Sequence, residues 1–320
     1  MLAWLTGDRV IPAAGLRGKA VAITGCDSGF GFQTALSLAQ LGMHVHAGCL
    51  TGEGAKQLES RHSRGKASEG SLTTHMLDVT SDASVAAFAA AIAAHSNGAL
   101  FAAIANAGIA CGGPIEILPM EVHKSIFDVN YFGVLRTLRA CAPLLRKQAR
   151  SDKKFRPRFI AISSISGSIA APGIAAYSAS KHACSAITLA ARIELNQFGI
   201  DVTAVEPYFA RTPIVAMDWA RQHQHFLATS EEVQAAYGEG SKDEKVAGLN
   251  KLLASPLTMT PDFVVENIVK CVRRVALRPK YPVGLFAFVL LFLKYWTPYW
   301  MFERLLKKDA KKGVVSEKTQ

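Results

Sequence analysis

The sequence predicts an α/β fold, a doubly wound parallel sheet in a single domain, and two observations carry that expectation. Short β-branched or apolar runs alternate with longer Ala/Leu-rich stretches of helical period, and the alternation stays regular from residue 20 to about residue 205. Each such unit reads as strand, crossover helix, strand, and right-handed crossovers put helices on both faces of a parallel sheet. In folds of this kind ligands bind outside the carboxyl ends of the strands.

Taken in order, strands are expected at Ala20–Thr24, 45–47, 72–77, 100–105, 159–163 and 202–205. Helices are expected over 31–41, 83–95, 119–149 and 178–198, each long enough to cross one face of the sheet. The Ser/Gly/charge-rich stretch 60–71 reads as a surface loop. Residues 1–17 form an N-terminal extension and 18–280 the main domain. Within it, 208–255 is polar, helical in period and rich in Gln, Glu and His, which suits a lid over the site. Residues 281–320 make an apolar and basic C-terminal extension.

A length of 320 residues, half of them apolar, allows a large buried core. The net charge of +11 is spread along the chain, with local clusters at 146–158 and 304–312. No aromatic-interleaved basic stripe accompanies it, so no nucleic-acid partner is expected; an anionic cofactor or membrane surface fits better. Six cysteines lie far apart with no zinc-like spacing, so reduced core thiols and no metal are expected. The first five residues are apolar but end at Thr6, Gly7 and Asp8, short of a secretory signal.

Directly after the first strand comes Thr24-Gly25-Cys26-Asp27-Ser28-Gly29-Phe30-Gly31, and a helical pattern opens at once. Glycines allow a tight turn in which backbone N–H groups approach a pyrophosphate at a helix N-terminus, the arrangement of a Rossmann fold. About 20 residues past the last glycine, where an acid selects NAD and a base selects NADP, stands Thr51. Asp27 would repel a 2′-phosphate and Lys56 is the one nearby cation, so NAD is expected and NADP is the alternative.

Further on, Ser164 at a strand end is followed thirteen positions later by Tyr177-Ser178-Ala179-Ser180-Lys181. Tyr177 and Lys181, four apart, share a helix face. A free phenol titrates near pH 10 and is a poor base at neutrality, whereas a neighbouring ammonium favours its ionised form. Tyr177 is then the acid/base that exchanges a proton with an alcohol, and Ser164 the donor that holds its oxygen.

The G-x-x-x-G-x-G spacing and the Ser164, Tyr177, Lys181 set resemble the short-chain dehydrogenase/reductase family, and the resemblance runs along most of the chain. It implies hydride transfer between NAD and an alcohol or ketone. It adds Asn130, in Asp128-Val129-Asn130-Tyr131-Phe132-Gly133, as the helical Asn that holds a water linking Lys181 to solvent. It implies cofactor contacts at Gly25, Ser28, Gly29, Phe30, Gly31, Thr51, Asp78, Val79, Asn106, Ala107, Gly108, Tyr177, Lys181, Pro207 and Thr212. One departure stands out: Tyr208 replaces the glycine that usually follows Pro207, so Tyr208 and Phe209 are candidates to line an apolar pocket. The family also implies a homo-oligomer.

Thr24 to Gly31 with Ala47-Gly48-Cys49-Leu50 closely resembles the branch of retinol, 17β- and 11β-type hydroxysteroid and mitochondrial 3-hydroxybutyrate dehydrogenases. In the late segment, Leu285 to Leu293 lies between Lys280 and Lys294 and is followed by Tyr295, Trp296, Tyr299 and Trp300. A short apolar run with aromatic and cationic flanks suits a helix lying in a membrane interface, and the basic tail to Lys312 adds attraction to anionic lipid. A core helix or a dimer contact is the plainer alternative. Contact through 281–312 favours a lipophilic substrate, a retinoid or steroid alcohol. It also favours a membrane-associated location, at the endoplasmic reticulum or cytoplasmic face, with mitochondria as the alternative. A small hydroxy acid as substrate, and a catalytically silent NAD-binding scaffold, remain the competing readings.

Overall fold

The computed structural model describes residues 9–64, 70–212, 218–237, 255 and 258–310. Its middle layer is a seven-stranded sheet of β1 (Ala20–Thr24), β2 (His44–Cys49), β3 (Ser71–Met76), β4 (Ala102–Ala105), β5 (Arg158–Ile162), β6 (Asp201–Pro207) and β7 (Lys280–Val283). The spatial order is β3-β2-β1-β4-β5-β6-β7 and every pairing is parallel. The winding reverses between β1 and β4, which opens a crevice at their carboxyl ends. Strands β1, β4, β5 and β6 are buried along their whole length, and helices cover both faces. That is why the centres of β1, β4 and β5 read as unbroken apolar runs.

On one face pack α1 (Gly29–Gln40), α2 (Gly52–Ser63) and α9 (Pro261–Arg273), burying Ala35, Leu38, Leu58, Val264 and Ile268 against Val21, Ile23 and Val45. On the other lie α3 (Asp82–His95), α5 (Gly133–Ser151) and α6 (Ala175–Asn196), with Phe88, Ile92, Leu145 and Cys184 against Ala22, Ala103, Phe159 and Val202. All six cysteines are free and buried. The expected helix over 119–149 is divided into α4 (Met120–Phe127), a π-helical turn at Asp128–Phe132, and α5. The extra residue of such a turn redirects a side chain, and here Asn130 is turned inward and fully buried. Helix α6 begins at Ala175, so Tyr177 stands in its first turn rather than before it.

Two boundaries differ from the sequence reading. Residues 9–17 belong to the body: Ile11 is fully buried, its amide donates to the Arg273 carbonyl at 2.6 Å, and Val275 N–H returns a bond to Arg9. The body also runs past 280, because β7 extends to Val283 and pairs Pro282 with Glu206. Proline is tolerated there because β7 is an edge strand. Helices α2 and α9 were not foreseen; α2 buries only Gly54, Ala55 and Leu58 within a charged stretch. Within the expected lid, α7 (Asp218–Leu227) and α8 (Glu231–Tyr237) are helical, while 213–217 and 238–254 lie outside the described residues.

The C-terminal segment forms α10 (Leu285–Trp296) and α11 (Tyr299–Ala310). Ala287 and Phe302 bury against Ile165 and Ile169, with Tyr208 alongside. The opposite face is solvent-facing, with Leu285, Phe288, Phe292, Tyr295, Trp296, Tyr299 and Trp300 all more than half exposed. Among the described residues no helix is long and apolar enough to cross a membrane.

Candidate active site

The crevice floor is stitched by Thr24 at the end of β1 and Asn106 after β4. Thr24 Oγ1 accepts from the amides of Asn106 and Ala107, each at 3.0 Å. Asn106 Nδ2 donates to the carbonyls of Thr24 and Gly25, both at 2.9 Å. Two glycines make this closeness possible. Gly25 has φ +69°, and a methyl on it would lie 2.7 Å from Ala107 Cα; a methyl on Gly31 would lie 2.2 Å from the Gly25 carbonyl oxygen. Gly29, at φ +60°, faces open space. Ser28 gives α1 no side-chain cap, whereas Thr51, Ser81 and Thr260 each cap their own helix. The first amides of α1 therefore carry no side-chain cap, and a helix N-terminus of this kind can receive an anion.

Asp27 points out of this turn toward α2. Its carboxylate accepts from the amides of Leu50 and Thr51 at 2.9 and 2.8 Å and from the Thr51 hydroxyl at 2.8 Å. Asp78 is exposed beyond β3, its carboxylate bonded to the Thr80 amide and hydroxyl, and Val79 is buried against Gly133.

The other half of the crevice holds the four chemical candidates. Lys181 is buried at 4% exposure, and its Nζ donates to the Ile162 carbonyl at 2.9 Å. That ammonium sits 5.7 Å from the centroid of the Tyr177 ring. Asn130 Oδ1 accepts from the Ile109 amide, and its Nδ2 donates to the Ile109 carbonyl and to Ser180 Oγ. Ser180 in turn donates to the Tyr177 carbonyl at 2.7 Å, which ties the π-helical turn to the first turn of α6. Gly108 is the point of convergence: a methyl there would lie 3.2 Å from Asn130 Oδ1 and 3.4 Å from Lys181 Nζ. Ser164, partly exposed, caps the 3-10 turn Ile165–Gly167 by accepting the Ser166 amide at 3.1 Å.

The structure thus brings Tyr177, Lys181, Asn130 and Gly108 together, and Ser164 stands two residues beyond Ile162, whose carbonyl Lys181 holds. Pro207 ends β6, and Thr212 is the last described residue before 213. Tyr208, weighed as a pocket residue, donates its amide to the Val283 carbonyl and packs edge-on against Phe286 of α10. Sequence reading assigned no role to Glu206, a fully buried carboxylate bonded to Ser168, Ser185 and Lys280. Its only signal was an acid directly after the apolar Ala204-Val205 step of a buried strand.

A family model described as short chain dehydrogenase matches residues 19–223, which hold the turn, the Ser164 loop and the Tyr177–Lys181 helix. The chain belongs to the short-chain dehydrogenase family. Among the relatives of this dehydrogenase is retinol dehydrogenase 16 of Rattus norvegicus, 34% identical over 80% of this chain and 78% of the relative. Another is 17-beta-hydroxysteroid dehydrogenase type 6 of Bos taurus, 35% identical over 75% and 72%. Mitochondrial D-beta-hydroxybutyrate dehydrogenase of Mus musculus is 31% identical over 77% and 71%. A short-chain dehydrogenase from Burkholderia phymatum in complex with NAD shares the fold, with TM-score 0.68 and 22% identity over 88% of this chain and 94% of that one. A Burkholderia cenocepacia counterpart in complex with NADP also gives 0.68, at 21% identity over 91% and 98%.

Proposed function

We propose that this dehydrogenase uses NAD to interconvert a lipophilic alcohol, a retinoid or hydroxysteroid, with its carbonyl compound, and that Tyr177 is its acid/base. The observation that carries the reading is the buried Lys181 ammonium beside the Tyr177 ring, with Ser164 just past the end of β5 and Asn130 bonded to Ile109 and Ser180. The residues fit the cofactor: the glycine turn lets backbone approach closely, and the α1 N-terminus offers donors to a pyrophosphate. When bound, NAD supplies the acceptor for the hydride.

During oxidation the Ser164 hydroxyl donates to the substrate oxygen and fixes the carbon that loses hydride. Tyr177 takes the hydroxyl proton, and Lys181, braced by the Ile162 carbonyl, keeps its charge near the phenol. Asn130 holds a water that connects Lys181 to solvent. Asp27, with its charge at Thr51, supports NAD over NADP. The outward face of α10 and α11, aromatic and flanked by the exposed Arg304, supports docking on an anionic membrane surface from which such alcohols are drawn.

Turnover of retinol, androstanediol and 3-hydroxybutyrate with NAD and with NADP, followed at the reduced-nicotinamide absorbance, tests the reading. Oxidation of retinol or androstanediol with NAD is expected. Turnover confined to 3-hydroxybutyrate overturns the lipophilic assignment.

A further inference from the structure

We infer that Glu206 is a positioning residue whose carboxylate clamps the Ser164 loop to the helix that carries Tyr177 and Lys181. The kinetic arm of its test rests on the dehydrogenase reading above; the exchange arm does not.

Glu206 stands one residue before the end of β6, with no exposed surface. Its Oε1 accepts from Ser185 Oγ at 2.9 Å and from Lys280 Nζ at 2.9 Å, and its Oε2 accepts from Ser168 Oγ at 3.0 Å. Ser168 closes the turn that begins at Ser164. Ser185 lies one helical turn beyond Lys181 on α6. One carboxylate therefore holds both segments that carry the reacting groups.

Proton accounting shows why an acid is needed there. A carboxylate only accepts, so Ser185 must give its hydroxyl proton to Glu206. Ser163 Oγ, 2.9 Å from Ser185 Oγ, must then donate toward Ser185, with the Lys181 carbonyl at 3.2 Å as a second acceptor. Lys280 donates to Ser168 Oγ at 3.1 Å, which leaves the Ser168 proton for Oε2. The loop packs on α6 with no slack: a methyl on Gly167 would lie 2.4 Å from Ser185 Oγ, 2.6 Å from Ser163 Oγ and 2.8 Å from the Lys181 carbonyl. Lys294 of α10 also donates to the Ser168 carbonyl, so the C-terminal helix grips the same loop.

Three variants of the full chain test the clamp: Glu206→Gln, which keeps the shape, and Ser168→Ala and Ser185→Ala, which each cut one arm and keep the Glu206–Lys280 pair. Turnover at saturating alcohol and NAD is expected to fall about tenfold or more in Glu206→Gln and severalfold in each serine variant. NADH affinity, read by fluorescence, is expected to stay within about twofold in all three, since the glycine turn is untouched. Hydrogen exchange of amides in 163–169 is expected to quicken in every variant while that of 24–31 stays constant. Should the wild type turn over no tested alcohol, the dehydrogenase reading fails and exchange alone decides the clamp. Unchanged exchange in 163–169, or turnover within twofold of wild type in the folded serine variants, overturns the proposal.

Discussion

Asp27 and Thr51 are joined twice, the carboxylate accepting from the Thr51 amide and from its hydroxyl, both at 2.8 Å. Thr51 occupies the position after β2 where an acid meets the adenosine ribose in dinucleotide folds. Asp27 thus delivers, from inside the glycine turn, a negative charge to a place that lacks its own. A 2′-phosphate would meet that charge at close range, and removing it should relax discrimination. Asp27→Asn is expected to raise the NADP/NAD ratio of kcat/KM by about tenfold, which corresponds to about 1.4 kcal/mol. Steady-state kinetics with both cofactors measures it, and an unchanged ratio removes Asp27 from the selection.

Loss of the Tyr177 hydroxyl is expected to separate chemistry from binding. Tyr177→Phe keeps the ring that lies under Lys181 and deletes only the hydroxyl. Turnover is expected to drop by about a thousandfold, within the range for a general acid/base, with NADH binding nearly intact. Unaltered turnover in this variant rejects Tyr177 as the acid/base.

Local spacing explains what could be read in advance. Tyr177 and Lys181 share a helix face by periodicity alone, and β1 and β5 are mostly apolar runs, so most of the sheet and that pair were legible, whereas Asn130 entered only through the family resemblance. The Glu206 cluster was not, because Ser168, Ser185 and Lys280 reach it from three separate segments and no pattern in β6 marks them. Strand β7 was hidden by its four-residue length and Pro282, and Ile11 by a stretch, Val10 to Ala14, too short to show a helix or strand period. In each case the partner lies far away in sequence.

Gly31→Ala tests the cofactor cradle. Its methyl would lie 2.2 Å from the Gly25 carbonyl oxygen and 2.5 Å from Asn106 Nδ2, a contact that the backbone must relieve by moving. The turn then opens where the pyrophosphate would sit. NADH affinity is expected to fall about tenfold or more, and the melting temperature by several degrees, consistent with an overpacking cost of about 1–3 kcal/mol. Fluorescence titration of NADH into the variant measures the first, and an unchanged affinity contradicts the cradle.

The outward face of α10 and α11 gathers Phe288, Phe292, Trp296 and Trp300, with Phe292 and Trp296 stacked at 5.9 Å between centroids. Replacing Phe288 and Phe292 with Glu puts two like charges on the exposed face and leaves the buried Ala287 and Phe302 alone. Flotation with phosphatidylserine-containing vesicles is expected to fall at least severalfold while turnover of a water-soluble alcohol is retained. Equal flotation of the double variant would reject this face as the docking surface.

At the far edge of the sheet, histidines predict an acid-sensitive fold. His46 on β2 is 4% exposed, 3.1 Å from a His75 nitrogen on β3, and its ring lies 5.8 Å from that of His95 on α3. Burial, then repulsion from His75, His95 and His44, lowers the His46 pKa from 6.5 to about 4, and burial and His95 lower that of His75. The unfolded chain therefore binds more protons than the folded one between about pH 4 and 6.5. Stability contributed by the neutral ring is whole above 6.5 and is lost as the pH falls through that window, by up to about 3 kcal/mol at pH 4. His46→Leu removes the titrating group from an already buried position, so its stability should fall less steeply with acid than that of the wild type. Urea unfolding at pH 7.5, 6 and 5 compares the two slopes, and parallel slopes would exclude His46 as the acid-sensitive group.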